Sequence, residues 1–300
     1  MLSILIPIYN RIVTKLVDGI QKQCQKAKID YEIICFDDLS EEKYKKENTV
    51  LSNYFKVNYT ELSKNLGRAK IRNWLAKSAS YETILFLDCD SKVVDKKFIS
   101  NYLPYVNKSA IVSGGRIYSN KPPRAYTKYL HWLYGTHKES KAAKFRNKQP
   151  IKYFHSNNFM APRQIILDYP FDEALSTYGY EDLLYAQLLS DSGVDILHID
   201  NPVEHLGLEK NKVFLEKSKM AIDNLLYLKY HNKPIPTNIE KVANQIYDFG
   251  LYDDFIHYYN KRKDKIEDNL MSKTPTLRSL DSYKLYYYYT RRMDWVEGRV

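Results

Sequence analysis

Asp88-Cys89-Asp90 closes the apolar run Thr83-Ile84-Leu85-Phe86-Leu87, which has the length and composition of a buried strand. Two carboxylates at the mouth of a sheet are expensive to desolvate unless a cation meets them. Their oxygens suit Mg2+ or Mn2+, ions that often bring phosphate with them. Taken alone, Asp-x-Asp is equally a turn that caps the next helix. A second acidic pair, Asp37-Asp38, ends the run Tyr31–Phe36. A carboxylate there can accept from the imide N–H of a uracil-like base or from a ribose hydroxyl, while Asp38 or Ser40 can cap the helix that follows. Asn65-Leu66-Gly67-Arg68 opens a helix that carries Arg68 and Arg72 in its first turns. A guanidinium at a helix start can meet a diphosphate, or lie idle on the surface. Glu181-Asp182 follows Tyr178-Gly179-Tyr180 and opens another helix. First-turn acids satisfy the helix dipole, and a carboxylate fixed at such a place can also serve as a general base. His205 stands just past a strand, where neutral imidazole can complete a metal site begun by carboxylates.

The elements that must position these groups alternate along the first half. Strands are expected at Leu2–Pro7, Tyr31–Phe36, Phe55–Tyr59, Thr83–Leu87 and Ala110–Ser113. Helices are expected at Val13–Ala27, Glu41–Tyr54, Arg68–Ala79 and about Lys96–Tyr105. This order predicts an α/β fold, a mostly parallel sheet with helices on both faces. Ligands of such sheets bind beyond the C-terminal strand ends, so Tyr9-Asn10, Asp37-Asp38 and Asp88-Cys89-Asp90 should converge on one crevice. Downstream, a loop-rich stretch holds a helix near Tyr126–Tyr134. A strand at Tyr153–Pro162, a helix at Glu181–Asp191 and a strand at Val194–Ile199 follow. From about Asn211 the chain turns helical. The tyrosine cluster Tyr286–Tyr289 near its end fits a core, an interface or a membrane-contacting surface.

Composition narrows the classes. With 44% hydrophobic and 27% charged residues, the chain is an ordinary globular one. No apolar stretch approaches the roughly 20 residues that span a bilayer, and Met1–Pro7 reads as a first strand and not a signal peptide. Cys24, Cys35 and Cys89 form no CxxC pair and are expected to be reduced thiols of a cytoplasmic protein. Of a net charge of +10, the segment 116–152 supplies +9, with ten Lys/Arg against Glu139 alone. Such a segment is either a solvated loop or a face for an anionic partner, such as nucleic acid, phosphate or an anionic membrane surface. There is no Walker A and no G-x-G-x-x-G, so phosphate must be met by metal and basic side chains.

The order of the segments is their most specific property. Ser3-Ile4-Leu5-Ile6-Pro7-Ile8-Tyr9-Asn10, then Phe36-Asp37-Asp38-Leu39-Ser40, then Asn65-Leu66-Gly67 with Arg72-Asn73, then Phe86-Leu87-Asp88-Cys89-Asp90, then Gly179-Tyr180-Glu181-Asp182, then His205 closely resembles the family 2 glycosyltransferases. The resemblance runs from about Leu2 to Gly207. Asn157-Asn158-Phe159-Met160-Ala161 is similar to the acceptor-side strand of that family.

The resemblance implies a GT-A fold over residues 1–210, with a nucleotide-sugar half at 1–113 and an acceptor-side half at 114–210. A helical region over 211–300 would pack on it or form a homodimer. It implies an inverting transfer from a nucleotide-diphospho-sugar, a UDP-sugar, to a saccharide or lipid-linked saccharide in cell-surface glycan synthesis. Pro7, Ile8, Asn10, Asn65 and Arg68 would line the nucleotide pocket, with Asp37 on the base. Asp88 would hold the ribose and the metal's water shell. Asp90 and His205 would bind Mn2+ or Mg2+, and Asp182 would be the general base. Glu181, Asn158 and Gly179 would meet the sugar or acceptor. Leu39 stands where the family often has glycine, and His155–Arg163 departs from the commoner family form. Two other classes stay open. A non-catalytic GT-A-like binding protein should have lost its acids, which this chain keeps. An Asp-x-Asp phosphotransferase should carry the motif near its first strand.

Overall fold

In the computed structural model, residues 1–106, 108–174 and 178–296 are described. Two compact units divide the chain. The first is Met1–Ser119, Lys138–Ser176 and Glu181–Gly207, and the second is Asn120–His137, Thr177–Tyr180 and Leu208–Val300.

The first unit begins with β1 (Leu2–Ile8), α1 (Thr14–Ala27), β2 (Tyr31–Asp37), α2 (Glu42–Asn48), β3 (Val57–Glu61), α3 (Arg68–Ser78) and β4 (Thr83–Leu87). Then come β5 (Ser91–Val93), α4 (Phe98–Tyr102), β6 (Ala110–Ser113) and β7 (Arg116–Ile117). Seven strands form one sheet in the order β3-β2-β1-β4, then Asn158–Pro162, β6 and Asp195–His198. The strand Asn158–Pro162 runs antiparallel to both neighbours, β4 and β6, and every other pairing in this sheet is parallel. Side-chain alternation along β1 explains why both faces are covered. Leu2, Ile4, Ile6 and Ile8 enter one core with Leu16, Val17 and Ile20 of α1 and with Phe98 and Ile99 of α4. Leu5 enters the opposite core with Ala69, Ile71 and Leu75 of α3. The sheet therefore lies between two helical layers, as the alternating pattern predicts.

A second, three-stranded sheet was not expected. It joins β5 and β7 to the short strand Val203–His205 at its centre. Its strands are two or three residues long, too short to carry a period in sequence. The strand expected at Phe55–Tyr59 is displaced to β3, because Lys56 turns with φ +57°. The helix expected through Tyr54 ends at Asn48 and continues as a 3-10 turn, Thr49–Asn53. The strand expected from Tyr153 begins only at Asn158. The three cysteines are free, with Cys24 and Cys35 wholly buried.

In chain order the remaining elements are α5 (Tyr129–Tyr134), α6 (Ala143–Arg146), β8 (Asn158–Pro162), α7 (Arg163–Asp168), α8 (Glu181–Asp191), β9 (Asp195–His198) and β10 (Val203–His205). The chain ends in α9 (Asn211–Tyr230), α10 (Asn238–Asp248), α11 (Tyr252–Met271) and α12 (Leu277–Val296). In the second unit, Leu130 of α5 packs with Phe214 and Leu215 of α9, Tyr259, Ile266 and Leu270 of α11 and Leu280 and Tyr283 of α12. The tyrosine cluster contributes to this unit's interior. Tyr286 stacks on Tyr259 with ring centroids 4.0 Å apart, and Tyr288 and Tyr289 are buried. The Tyr289 hydroxyl donates to the Ala243 carbonyl at 2.7 Å. Among the described residues no helix is long and apolar enough to cross a membrane.

Candidate functional site

Three loops at the C-terminal ends of the parallel strands are stitched together by side chains. Pro7 and Ile8 end β1, opposite Phe36 and Asp37 of β2. Asn10 follows with φ +51°, a conformation asparagine tolerates. Its N–H donates to Ser40 Oγ at 2.8 Å, and its Oδ1 accepts from the Glu41 N–H at 2.8 Å. Asp37 is fully buried. Its Oδ1 accepts from the Ser40 N–H at 2.7 Å, and its Oδ2 from the Tyr59 hydroxyl at 3.3 Å. Asp38 accepts from the N–H groups of Leu66 (2.6 Å) and Gly67 (3.0 Å), while Asn65 Nδ2 donates to the Asp38 carbonyl at 2.8 Å. Neither Asp38 nor Ser40 caps α2, which has Glu41 at its N-cap and no side-chain cap bond. Burial raises the Asp38 pKa, against the lowering effect of those two N–H groups. Leu39, between the acids and Ser40, has φ +64°. That left-handed backbone is why glycine suits the position, and leucine there costs roughly 1–2 kcal/mol.

The acids of the fourth motif part company. Asp88 Oδ1 accepts from Arg72 Nη2 at 2.6 Å. Arg72 is 4% exposed, so the ion pair is close to internal. Asp90 Oδ1 instead lies 3.5 Å from His205 Nδ1. The three-stranded sheet makes this meeting, since β5 pairs with β10 in a register that opposes Ser91 to His205, and the Leu206 N–H donates to the Asp90 carbonyl at 2.8 Å. Burial raises the Asp90 pKa, but the hydrogen bond and charge of His205, with Arg116 and Arg11, outweigh it and hold the carboxyl below the usual range. A Cβ on Gly207 would sit 2.1 Å from Asp90 Oδ2 and 2.9 Å from His205 Cε1, so the absent side chain leaves a cradle around the pair.

That donor set fits a divalent ion. Carboxylate and imidazole suit Mn2+ or Mg2+, which are commonly held by one or two protein ligands with phosphate and water completing the shell. Among the described residues no group of three or more His, Cys, Asp or Glu is placed to hold a metal. The two-ligand arrangement is the one available.

Across the crevice, α8 opens with Glu181 and Asp182. Glu181 Oε1 accepts from Arg68 Nη1 at 3.1 Å. Asp182 Oδ2 lies 3.8 Å from His155 Nδ1, and Asp182 Oδ1 is buried with no hydrogen-bond partner among the described residues. Burial raises the Asp182 pKa, but His155, Arg72 and a hydrogen bond from Ser156 outweigh it and hold the carboxyl below its ordinary range.

The neighbouring asparagines differ in their surroundings. Asn158 is spent inside the protein. Its Oδ1 accepts from the Tyr102 hydroxyl at 2.7 Å, and its Nδ2 donates to the carbonyls of Gly115 and Asn201. Asn157 is 2% exposed, yet neither its Nδ2 nor its Oδ1 has a partner among the described residues. A buried amide left unpaired costs several kcal/mol, so it marks a place for a ligand or water. Only the double Asn in sequence hinted at it. Gly179 belongs to the second unit. It has φ +113°, its carbonyl accepts from Asn224 Nδ2 at 3.1 Å, and a Cβ would meet that of Ala221 at 2.4 Å.

The basic segment is smaller than its composition suggests. Arg116 pairs with Glu139 at 3.1 Å and is largely buried. Arg146 is 2% exposed and donates to the carbonyls of Lys141, Ser113, Gly114 and Ile199. Lys138, Lys141, Lys144, Lys148 and Lys152 remain exposed, with Phe145 beneath the ammonium groups of Lys144 and Lys148.

A doubly covered, mostly parallel sheet with acids at its C-terminal edge defines a Rossmann-like protein of the GT-A type. The family model for glycosyl transferase family 2 matches residues 3–169, and the chain belongs to that family. Solved structures share its fold. The mannosyltransferase PcManGT from Pyrobaculum calidifontis, in complex with GDP-Man and Mn2+, has a TM-score of 0.59 at 11% identity, covering 97% of this chain and 86% of that one. S. aureus TarS 1-349 has a TM-score of 0.50 at 15% identity, covering 99% and 91%. Full-length S. aureus TarS reaches 0.51 at 15% identity, covering 98% of this chain and 55% of that one. No curated protein matches the chain in sequence.

Proposed function

We propose that this glycosyltransferase is inverting and metal-dependent, and moves a sugar from a nucleotide-diphospho-sugar, a UDP-sugar, to a saccharide or lipid-linked saccharide acceptor in cell-surface glycan synthesis. One observation carries this reading. Asp90 pairs with His205 beside the paired strands β5 and β10, while Asp182 opens α8 with one oxygen buried and without a hydrogen-bond partner among the described residues.

The chain's own groups divide the work. Pro7, Ile8, Asn10 and Asn65 border the nucleotide. A uracil that reaches Asp37 replaces the Tyr59 hydroxyl on Oδ2. Asp88, already charge-paired with Arg72, faces the ribose, and Arg68 and Arg72 bring positive charge to the diphosphate. Asp90 and His205 would hold the divalent ion, which when bound stabilises the leaving diphosphate. Asp182 takes the proton of the acceptor hydroxyl. The acceptor oxygen bonds to the anomeric carbon as the bond to the diphosphate oxygen breaks, so one displacement inverts the centre. Asn157 donates to and accepts from sugar hydroxyls, and Glu181 approaches the sugar from α8. The exposed lysines of 138–152 face an anionic membrane at the cytoplasmic side, where a lipid-linked acceptor would reside.

The test is a thermal-shift series with UDP-glucose, UDP-galactose, UDP-N-acetylglucosamine and GDP-mannose, each with and without Mn2+. Stabilisation that needs both nucleotide sugar and Mn2+ is expected, because a ligand of the folded state raises its stability. Silence toward every nucleotide sugar overturns the donor assignment.

A further inference from the structure

His155 has no role in the reading above, yet its imidazole faces the proposed base. Its place is fixed by apolar packing. Phe154, the residue before it, is buried and lies 6.1 Å centroid to centroid from Tyr185, which stands one turn beyond Asp182 on α8. Phe154 also packs edge-on against Phe159 of β8 at 5.3 Å. This aromatic contact ties residue 155 to residue 182 through rigid elements. The imidazole Nδ1 comes to rest 3.8 Å from Asp182 Oδ2 and leaves Oδ1 without a partner.

We propose that His155 is the positioning residue of Asp182: it holds Oδ2, turns Oδ1 toward the acceptor, and by its own protonation sets the pH above which the carboxylate can take a proton. This rests on the reading of Asp182 as the base. In the transfer step the acceptor proton goes to Asp182 Oδ1. The electron pair it leaves forms the new glycosidic bond, and the pair of the broken bond departs on the diphosphate. An imidazolium at Oδ2 draws charge from the carboxylate and makes Oδ1 a poorer base. A neutral imidazole donates one N–H, keeps the orientation and leaves Oδ1 basic. Turnover should therefore climb as the imidazole loses its proton.

The other groups facing this pair are identified. Arg72 of α3 and Ser156 act on Asp182. Glu181, the next residue, is tied to Arg68. His198 of β9 is acted on by His155, and burial, the largest cause, lowers the His198 pKa to about 4. His198 is bonded to Arg146 of α6 at 2.7 Å.

The experiment compares wild type, His155→Gln, His155→Ala and Asp182→Asn. Nucleotide release from the nucleotide sugar giving the largest thermal shift is followed against pH, with Mn2+ present and water as the accepting hydroxyl. In His155→Gln an amide still donates to Oδ2 but cannot titrate. Its acidic limb in kcat should vanish or move down by about one pH unit or more, with the donor KM unchanged. His155→Ala should lose kcat at every pH. A wild-type pH profile in His155→Gln, merely scaled in height, overturns the proposal and leaves a packing role. Asp182→Asn separates the two claims. If it turns over like wild type, the base assignment itself fails. If it is inactive while the His155→Gln profile is unmoved, only the inference about His155 fails. A measurement without substrate guards against misfolded variants. In the nitrogen-15 NMR titration of the imidazole, the His155 ring should lose its proton at lower pH in Asp182→Asn than in wild type. Coincident titrations would equally overturn the proposal.

Discussion

Replacing Arg72 with methionine is the most direct test of how the sheet edge is held together. Methionine keeps most of the aliphatic stem and removes the guanidinium, whose carbon lies 5.8 Å from the Phe171 ring centroid. It removes the 2.6 Å bond to Asp88 and the 3.2 Å bond from Nη1 to the Arg68 carbonyl. Breaking one side of a fully buried pair costs about 3–5 kcal/mol. The Asp88 side chain is 26% exposed, and water can reach its free side. The expected loss is therefore about 2–3 kcal/mol, at or below the lower limit of that range, with the Arg68 carbonyl bond contributing about 1 of it. For a unit of this size that lowers the melting point by roughly 4–12 °C. Asp88→Asn keeps one acceptor oxygen and should cost less. The double variant should be less destabilised than the two single losses combined, by about 1 kcal/mol or more, since contacting residues are not additive. Scanning calorimetry at neutral pH and low salt measures all four proteins. Single losses that add to within about 0.5 kcal/mol would refute the claim that Arg72 and Asp88 act as a pair.

Asp182→Asn should cut transfer by about 100-fold or more while donor-induced thermal stabilisation persists; full turnover with a known donor would remove Asp182 from the chemistry. The same variant carries a pH signature. The Asp182 pKa is lowered in the folded state, so its ionised form adds stability above its ordinary value of 3.8 and that contribution is lost as pH falls through the folded value. The stability gap between wild type and Asp182→Asn should narrow as pH drops below 3.8, and a gap constant with pH in urea titrations would contradict it. Asp90→Ala should abolish any Mn2+-dependent thermal shift, and Gly207→Ala should weaken it by crowding the same carboxylate; unchanged Mn2+ titrations in both would move the metal elsewhere. Charge reversal at Lys141, Lys144 and Lys148 should weaken sedimentation with phosphatidylglycerol vesicles and leave phosphatidylcholine vesicles unaffected, whereas equal binding by both proteins would return these lysines to a solvated surface.

The β1, β2 and β4 strands were legible because each is a continuous apolar run that ends in polar residues. The three-stranded sheet was not, since its strands are too short for a pattern, and yet it brings Asp90 to His205. Sequence located the acids correctly at strand ends but not their partners. Asp37 and Asp38 are adjacent, and only the fold decides that one is enclosed by Ser40 and Tyr59 while the other ties down the Leu66-Gly67 loop. Counting charges placed Arg116 and Arg146 on a basic surface, although both are drawn inward by carbonyls and Glu139. Asn157 and Asn158 differ by one step along the chain, which at the start of a strand decides whether an amide is consumed by the protein or left over.

The three unbridged thiols give this sheet a set of internal clocks. Burial pushes the Cys24 and Cys89 thiols up to about 12 and raises that of Cys35 as well, so all three are neutral and slow toward alkylating reagents while the fold is intact. Labelling of Cys24 and Cys35 must wait for an opening, whereas Cys89 is half-buried. Cys24 lies in α1 and Cys35 in β2, within the core, whereas Cys89 sits between the two acids of the crevice. Alkylation at Cys89 that outruns the other two would time the local breathing of the crevice, and equal rates at all three would time the unfolding of the whole sheet.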